Sequence, residues 1–120
     1  MNRLILPACI IFALAPSVFG QVVNADHIAR YIGNGRYSFT LFIKTDDNTL
    51  KNIESVEYTL HPSYRPPTYT VRKLGNKRYP FALSNTGSGE FNVRIKFTYK
   101  PGITGPPALD YRLRLYGNRP

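Results

Sequence analysis

The chain has 120 residues and a net charge of +9, with 16 Lys and Arg against 7 Asp and Glu. That length holds one domain, and ten prolines, nine glycines and no tryptophan point to many turns and little helix. Cys9 is the only cysteine, which excludes an internal disulfide framework.

Residues 1–20 read as a secretory leader. Arg3 gives a short positive start, Leu4 to Ala15 an apolar stretch interrupted only by Pro7, and Val18-Phe19-Gly20 the small and β-branched residues before a cut at Gln21. A second possible cut follows Ala25. The apolar run falls short of the roughly 20 residues a membrane span needs. Cleavage after Gly20 removes Arg3 and Cys9 and leaves a domain over 21–120 with charge +8 and no cysteine. The expectation is a secreted or periplasmic protein held by its core alone, with no stable membrane insertion after cleavage. Such a basic domain either meets an acidic partner or carries a solvated surface of Lys and Arg; no nucleic acid is expected.

In the mature chain, Ile28 to Ile32 is a first strand, and Gly33-Asn34-Gly35 a turn. Tyr37, Phe39, Leu41 and Ile43 alternate with polar residues and predict a core strand. Thr45-Asp46-Asp47-Asn48 reads as a polar turn; its adjacent oxygens lack the spacing and closing Glu of a calcium loop, so no metal is assigned. Val56, Tyr58 and Leu60 form the apolar row of a central strand that Pro62 stops, placing His61, Ser63 and Tyr64 where strand becomes loop. Arg65-Pro66-Pro67 forces an extended linker, and Thr68 to Arg72 is a further strand. Tyr79 to Leu83 predicts a short edge strand, and Ser84 to Gly89 a loop exposing N–H groups. Phe91, Val93, Ile95, Phe97 and Tyr99 form the most regular apolar row, and Tyr111, Leu113 and Leu115 close the set. With no sustained helical period, the pattern predicts an all-β, immunoglobulin-like antiparallel sandwich of about seven or eight strands.

With these elements placed, Val56-Glu57-Tyr58-Thr59-Leu60-His61-Pro62-Ser63-Tyr64 is similar to the V-x-[FY]-x-L-H-x-S-[FY] signature of the YEATS domain family. Tyr79-Pro80-Phe81 followed by Thr86-Gly87-Ser88-Gly89-Glu90-Phe91 resembles its P-[FY] and T-G-W-G-E-F patterns, and Leu109 to Leu113 its last strand. The likeness covers about residues 25–117 and is nearest to the prokaryotic branch. It implies a sandwich whose loops at one end hold a protein or peptide partner, an acylated lysine in nuclear members. The matching ligand-binding positions are His61, Ser63, Tyr64, Gly87, Ser88 and Gly89. Ser88 stands where the family usually has Trp or Tyr, and Gly33-Asn34-Gly35-Arg36 lacks an aromatic that many nuclear members present.

Each position has a plainer reading. His61 can end a strand, Ser63 can satisfy a turn N–H, Tyr64 can pack on the core, and Ser88 can be a turn residue between glycines. Arg65, Arg72, Lys73, Lys77 and Arg78 form a basic set around the linker, read as solvated charges guarding a sheet edge, with a partner site as the alternative. No Gly-x-Ser-x-Gly elbow and no metal-ligand cluster is present, so no catalytic residue or cofactor is assigned. A small hydrolase would require His61 within hydrogen-bond reach of a Ser and an acid. The two leading readings are a non-enzymatic recognition module and an interaction sandwich with a degenerate pocket.

Overall fold

The computed structural model describes residues 22–116; the leader lies outside them. Seven strands and one short helix follow in chain order: β1 (Asn24–Gly33), β2 (Arg36–Lys44), α1 (Asp47–Asn52), β3 (Ile53–Thr59), β4 (Thr68–Val71), β5 (Leu83–Gly87), β6 (Gly89–Tyr99) and β7 (Ala108–Leu115). They build a three-stranded sheet, β1-β2-β5, and a four-stranded sheet, β4-β3-β6-β7. Every strand pair is antiparallel.

The period-two rows become the core between the sheets. Tyr37, Phe39, Leu41 and Ile43 of β2 are buried, and Val56 and Tyr58 of β3 pair with Phe97 and Ile95 of β6. The polar rows of both strands face water, as a half-buried antiparallel sheet requires. Tyr58 Oη lies fully inside and donates to the Phe81 carbonyl at 2.6 Å.

Three expectations need correction. The turn at Asp46–Asn48 leads into a helix. Asp46 caps it by accepting from the Thr49 N–H at 2.8 Å, and Thr49 and Leu50 turn inward. Six residues are too few to show a helical period, but a cap and one buried Leu are enough to form a turn and a half. The strand predicted at Tyr79–Leu83 is a turn through Phe81, and Leu83 opens β5 instead. Phe81 is buried with φ 51°, in the left-handed region; its N–H donates to Leu74 O at 3.0 Å and its carbonyl accepts from Tyr58. Anchoring that ring in the core overrides the strand preference of Tyr and Phe. Conversely, the polar stretch Ser84–Gly87, read as loop, is strand: it pairs with β2 from Leu41↔Leu83 to Tyr37↔Gly87. β1 also starts four residues earlier than expected, at Asn24.

The basic set divides. The β3–β4 hairpin pairs Thr59 with Thr68 at one end and Val56 with Val71 at the other. Arg65 therefore belongs to the loop end after β3, while residues 72–78 leave β4 at the opposite end.

Candidate ligand-binding cleft

The cleft forms where β5 of one sheet hands over to β6 of the other through Ser88 alone. Gly89, with φ +78°, makes that crossing in a conformation that disfavours side chains. The loop after β3 stands opposite, its base closed by Leu60 N–H donating to Pro67 O at 2.8 Å. Between them lies an open concavity of about 570 Å³. All six residues expected from the sequence line it: His61, Ser63, Tyr64, Gly87, Ser88 and Gly89.

Phe91, the first inward residue of β6, is the floor. The His61 ring meets it edge-on, with centroids 6.0 Å apart at 69°, and the Tyr64 ring lies 5.7 Å away at 49°. Such tilted arrangements suit the charge distribution of aromatic rings. Tyr64 is half-buried, and its hydroxyl donates to Thr86 O at 2.9 Å, joining the two loops. Gly87 is the residue this contact requires, because a Cβ there would overlap the Tyr64 hydroxyl. Burial pushes the Tyr64 phenol above its ordinary value, with the nearby Arg36 charge acting in the other direction.

His61 Nδ1 accepts the Ser63 main-chain N–H at 3.1 Å, so its ring proton sits on Nε2. The Ser63 hydroxyl, 2.8 Å from the same nitrogen, then points its hydrogen at the ring. Its lone pairs are left for an incoming N–H donor. The plain reading of Ser63, a hydroxyl that satisfies a turn N–H, is not what the contacts show: the turn N–H is Ser63's own, and His61 accepts it.

Charge in the cleft is uneven. Arg36 donates through Nη2 to Thr86 Oγ1 at 3.0 Å, and Arg65 lines the opposite loop. Glu90, the one acid on the wall, is turned onto the β6–β7 face by Arg112 at 2.6 Å, Arg114 at 3.2 Å and the Tyr116 hydroxyl at 3.2 Å. The hydrogen bond from Arg112 is the main reason its carboxyl stays below the usual range. Among the described residues, Arg36 and Arg65 on the rim form no ion pair. Arg36, Tyr69 and Asn85 were not singled out as ligand contacts from the sequence. Arg36 and Asn85 sit at positions whose pairing only the fold reveals, and Tyr69 reads simply as a strand aromatic.

Of the hydrolase requirements, His61 has its Ser. Among the described residues no hydrogen bond joins His61 to a carboxylate, and no group of three metal-capable side chains occurs.

Fold and cleft together define an immunoglobulin-like sandwich with its concavity at one loop end. The YEATS family model matches residues 35–117, and the chain belongs to the YEATS family. Protein AF-9 homolog of Neurospora crassa is 35% identical over 83 residues, covering 67% of this chain and 26% of that protein. Its counterpart in Mycosarcoma maydis is 28% identical over 81 residues, 67% and 18% of the two chains. The chain thus spans about a quarter of these curated relatives' length or less. The solved Yaf9 YEATS domain recognising an H3K122suc peptide shares the fold, with TM-score 0.57, 23% identity, and 80% and 76% of the two chains covered. So does yeast AF-9 homolog protein Yaf9, with TM-score 0.57, 23% identity, and 81% and 72% covered.

Proposed function

We propose that this chain is a non-enzymatic reader module that holds an acylated lysine of a peptide partner in the cleft. The observation that carries the reading is the convergence of His61, Ser63 and Tyr64 with Gly87, Ser88 and Gly89 over one aromatic floor. A flat acyl amide has one donor and one acceptor. Ser63 Oγ accepts its N–H, while the Ser88 N–H, which belongs to neither strand, donates to its carbonyl. The aliphatic lysine stem lies against Tyr64 and Phe91. Family membership supports this assignment, as does the Yaf9 domain described with an H3K122suc peptide.

The exposed Ser88 replaces an aromatic wall worth about 0.5–1.5 kcal/mol, so a simple acetyl group binds weakly. Arg36 and Arg65 shift the preference toward acyl groups that end in a carboxylate, such as succinyl. A charge-assisted bond there is worth about ten-fold in affinity. In this reading the leader is cut after Gly20, the protein belongs to the prokaryotic branch, and the module works outside the cytoplasm on an envelope or secreted peptide.

One observation favours the second reading, an interaction sandwich with a degenerate pocket: Arg36 already spans part of the cleft to Thr86. A single titration separates the two. NMR spectra of the chain are followed with acetyl-, crotonyl- and succinyl-lysine peptides against unmodified lysine. Selective shifts at Ser63, Tyr64 and Gly87, lost in Ser63→Ala, are expected. Absence of shifts at roughly millimolar peptide overturns the reader assignment and leaves the interaction reading.

A further inference from the structure

The seven acids of the chain are unevenly placed about the cleft. Asp46, Asp47 and Glu54 belong to α1, its cap and the start of β3, at the opposite end. Asp26, also toward that end, forms an ion pair with Lys44 at 3.7 Å. Glu57 stands opposite Lys96 in the β3–β6 register, at mid-sheet, and Asp110 bonds Arg94 at 3.2 Å. Glu90 is the one acid that lines the cleft, and both its oxygens are occupied. Oε2 accepts from Arg112 and Arg114, and Oε1 from the Tyr116 hydroxyl.

The two permanent cations that line the cleft are both arginines. Arg36 opens β2 on one wall, and Arg65 stands on the opposite loop. Both are exposed. Arg36 uses one N–H on Thr86 Oγ1 at 3.0 Å, which leaves the rest of its guanidinium fork for a carboxylate. A lysine held in the cleft places its neighbours in the peptide at this rim. A Lys or Arg there meets two like charges and finds no acid left to receive it. An Asp or Glu is drawn to them.

We infer that the peptide held by this cleft is acidic, with Asp or Glu flanking the acylated lysine. The inference rests on the reader assignment above and adds to it the sequence character of the partner. The charges on the rim single this out, because the two arginines are unpaired there while the one acid is already held by arginines of β7. The carboxylate of a succinyl group competes for the same two arginines. The effect of the flanking residues is therefore largest when the acyl group is neutral.

The experiment titrates the chain, followed by NMR, with crotonyl-lysine peptides flanked by Glu, by Ser or by Lys, and with a Glu-flanked peptide of unmodified lysine. The crotonyl group is neutral and leaves the arginines to the flanks. Two exposed ion pairs are together worth about three- to ten-fold in affinity. The Glu-flanked crotonyl peptide is expected to exceed the Ser-flanked one by that factor, with the Lys-flanked peptide weakest. The ratio should fall toward unity as salt rises to about 0.5 M. Arg36→Gln with Arg65→Gln is expected to remove the ratio, read within that protein. Lys77→Gln with Lys100→Gln, at the opposite end, is expected to keep it. Circular dichroism checks that both variants stay folded. Crotonyl peptides that bind without regard to their flanks, or prefer Lys, overturn the inference and leave the reader assignment standing. An unmodified Glu-flanked peptide that binds as tightly as its crotonylated form keeps the acidic partner and overturns the acyl-lysine assignment. No shift with any peptide at roughly millimolar concentration overturns both. Tighter binding of single-stranded oligothymidylate at matched charge overturns the inference in favour of nucleic acid.

Discussion

Gly87 and Tyr64 form the contact most open to test at the level of single residues. A methyl group at position 87 displaces the Tyr64 hydroxyl from Thr86 O. Gly87→Ala is expected to cost about 1–3 kcal/mol in chemical denaturation and to remove ligand shifts at Ser63. Because the overlap is with the hydroxyl, Tyr64→Phe in the same chain should recover most of that cost, giving a coupling of about 1 kcal/mol in the double-mutant cycle. Additive losses would mean that Gly87 acts through something other than Tyr64. His27 gives a second test. It is half-buried between the sheets, its Nδ1 hydrogen-bonded to the Tyr111 hydroxyl at 2.6 Å, with Asp26 and its partner Lys44 alongside. Burial holds the imidazole below its ordinary value of 6.5, the Asp26 charge opposing in part. The Tyr111 phenol is pushed up to about 12, by burial first and then by Asp26. The unfolded chain therefore takes up the His27 proton at higher pH than the folded one. Stability is lost as pH falls through 6.5 toward the lowered folded value. His27→Gln, which cannot titrate, should weaken the fall in denaturation midpoint between about pH 7.5 and 5.5; identical profiles for the two proteins would count against this account. At this scale the cleft residues were legible because a loop signature and a Gly-rich turn carried them. Arg36 was not, since its bond to Thr86 joins residues fifty positions apart.

Strands with strict alternation were legible as elements, and those shaped by long-range anchoring were not. β2, β3 and β6 show their inward rows directly in the sequence, because burial on one side imposes a period of two. β5 contains Ser, Asn, Thr and Gly, which argue for a loop; its pairing with β2 decides otherwise, and Thr40 and Ser84 support it with a 2.7 Å hydroxyl bond. The turn before it is held from the far sheet by Tyr58. Tyr58→Phe keeps the ring and removes the bond to Phe81 O, leaving a buried carbonyl unpaired beside a left-handed Phe81. A loss of about 1–3 kcal/mol is expected in denaturant unfolding. Hydrogen exchange should also rise at Phe81, whose N–H bonds Leu74. A loss confined to the β3 amides would show that the turn holds without Tyr58.

For the whole molecule, the fold bears on a choice that the sequence left between two cleavage points. Val23 is 8% exposed and belongs to the core cluster, and Val22 O receives the Thr45 hydroxyl. Asn24 and Ala25 begin β1 opposite Lys44 and Ile43. A cut after Ala25 would strip these contacts, uncover part of the core and shorten the strand that closes one sheet. A cut after Gly20 spares all of them. Of the two proposed cuts, the one after Gly20 is therefore the one compatible with these contacts, and the proposal of a mature chain beginning at Gln21 rests on it. Intact-mass measurement of the protein recovered from the extracytoplasmic fraction should give residues 21–120, and a thiol-reactive dye should leave it unlabelled because Cys9 has gone with the leader. Its unfolding midpoint should not move with reductant. A mass that starts at Asp26 would show that β1 tolerates losing its first pairs, and a mass that retains residues 1–20 would tie the domain to its apolar stretch by a covalent tether.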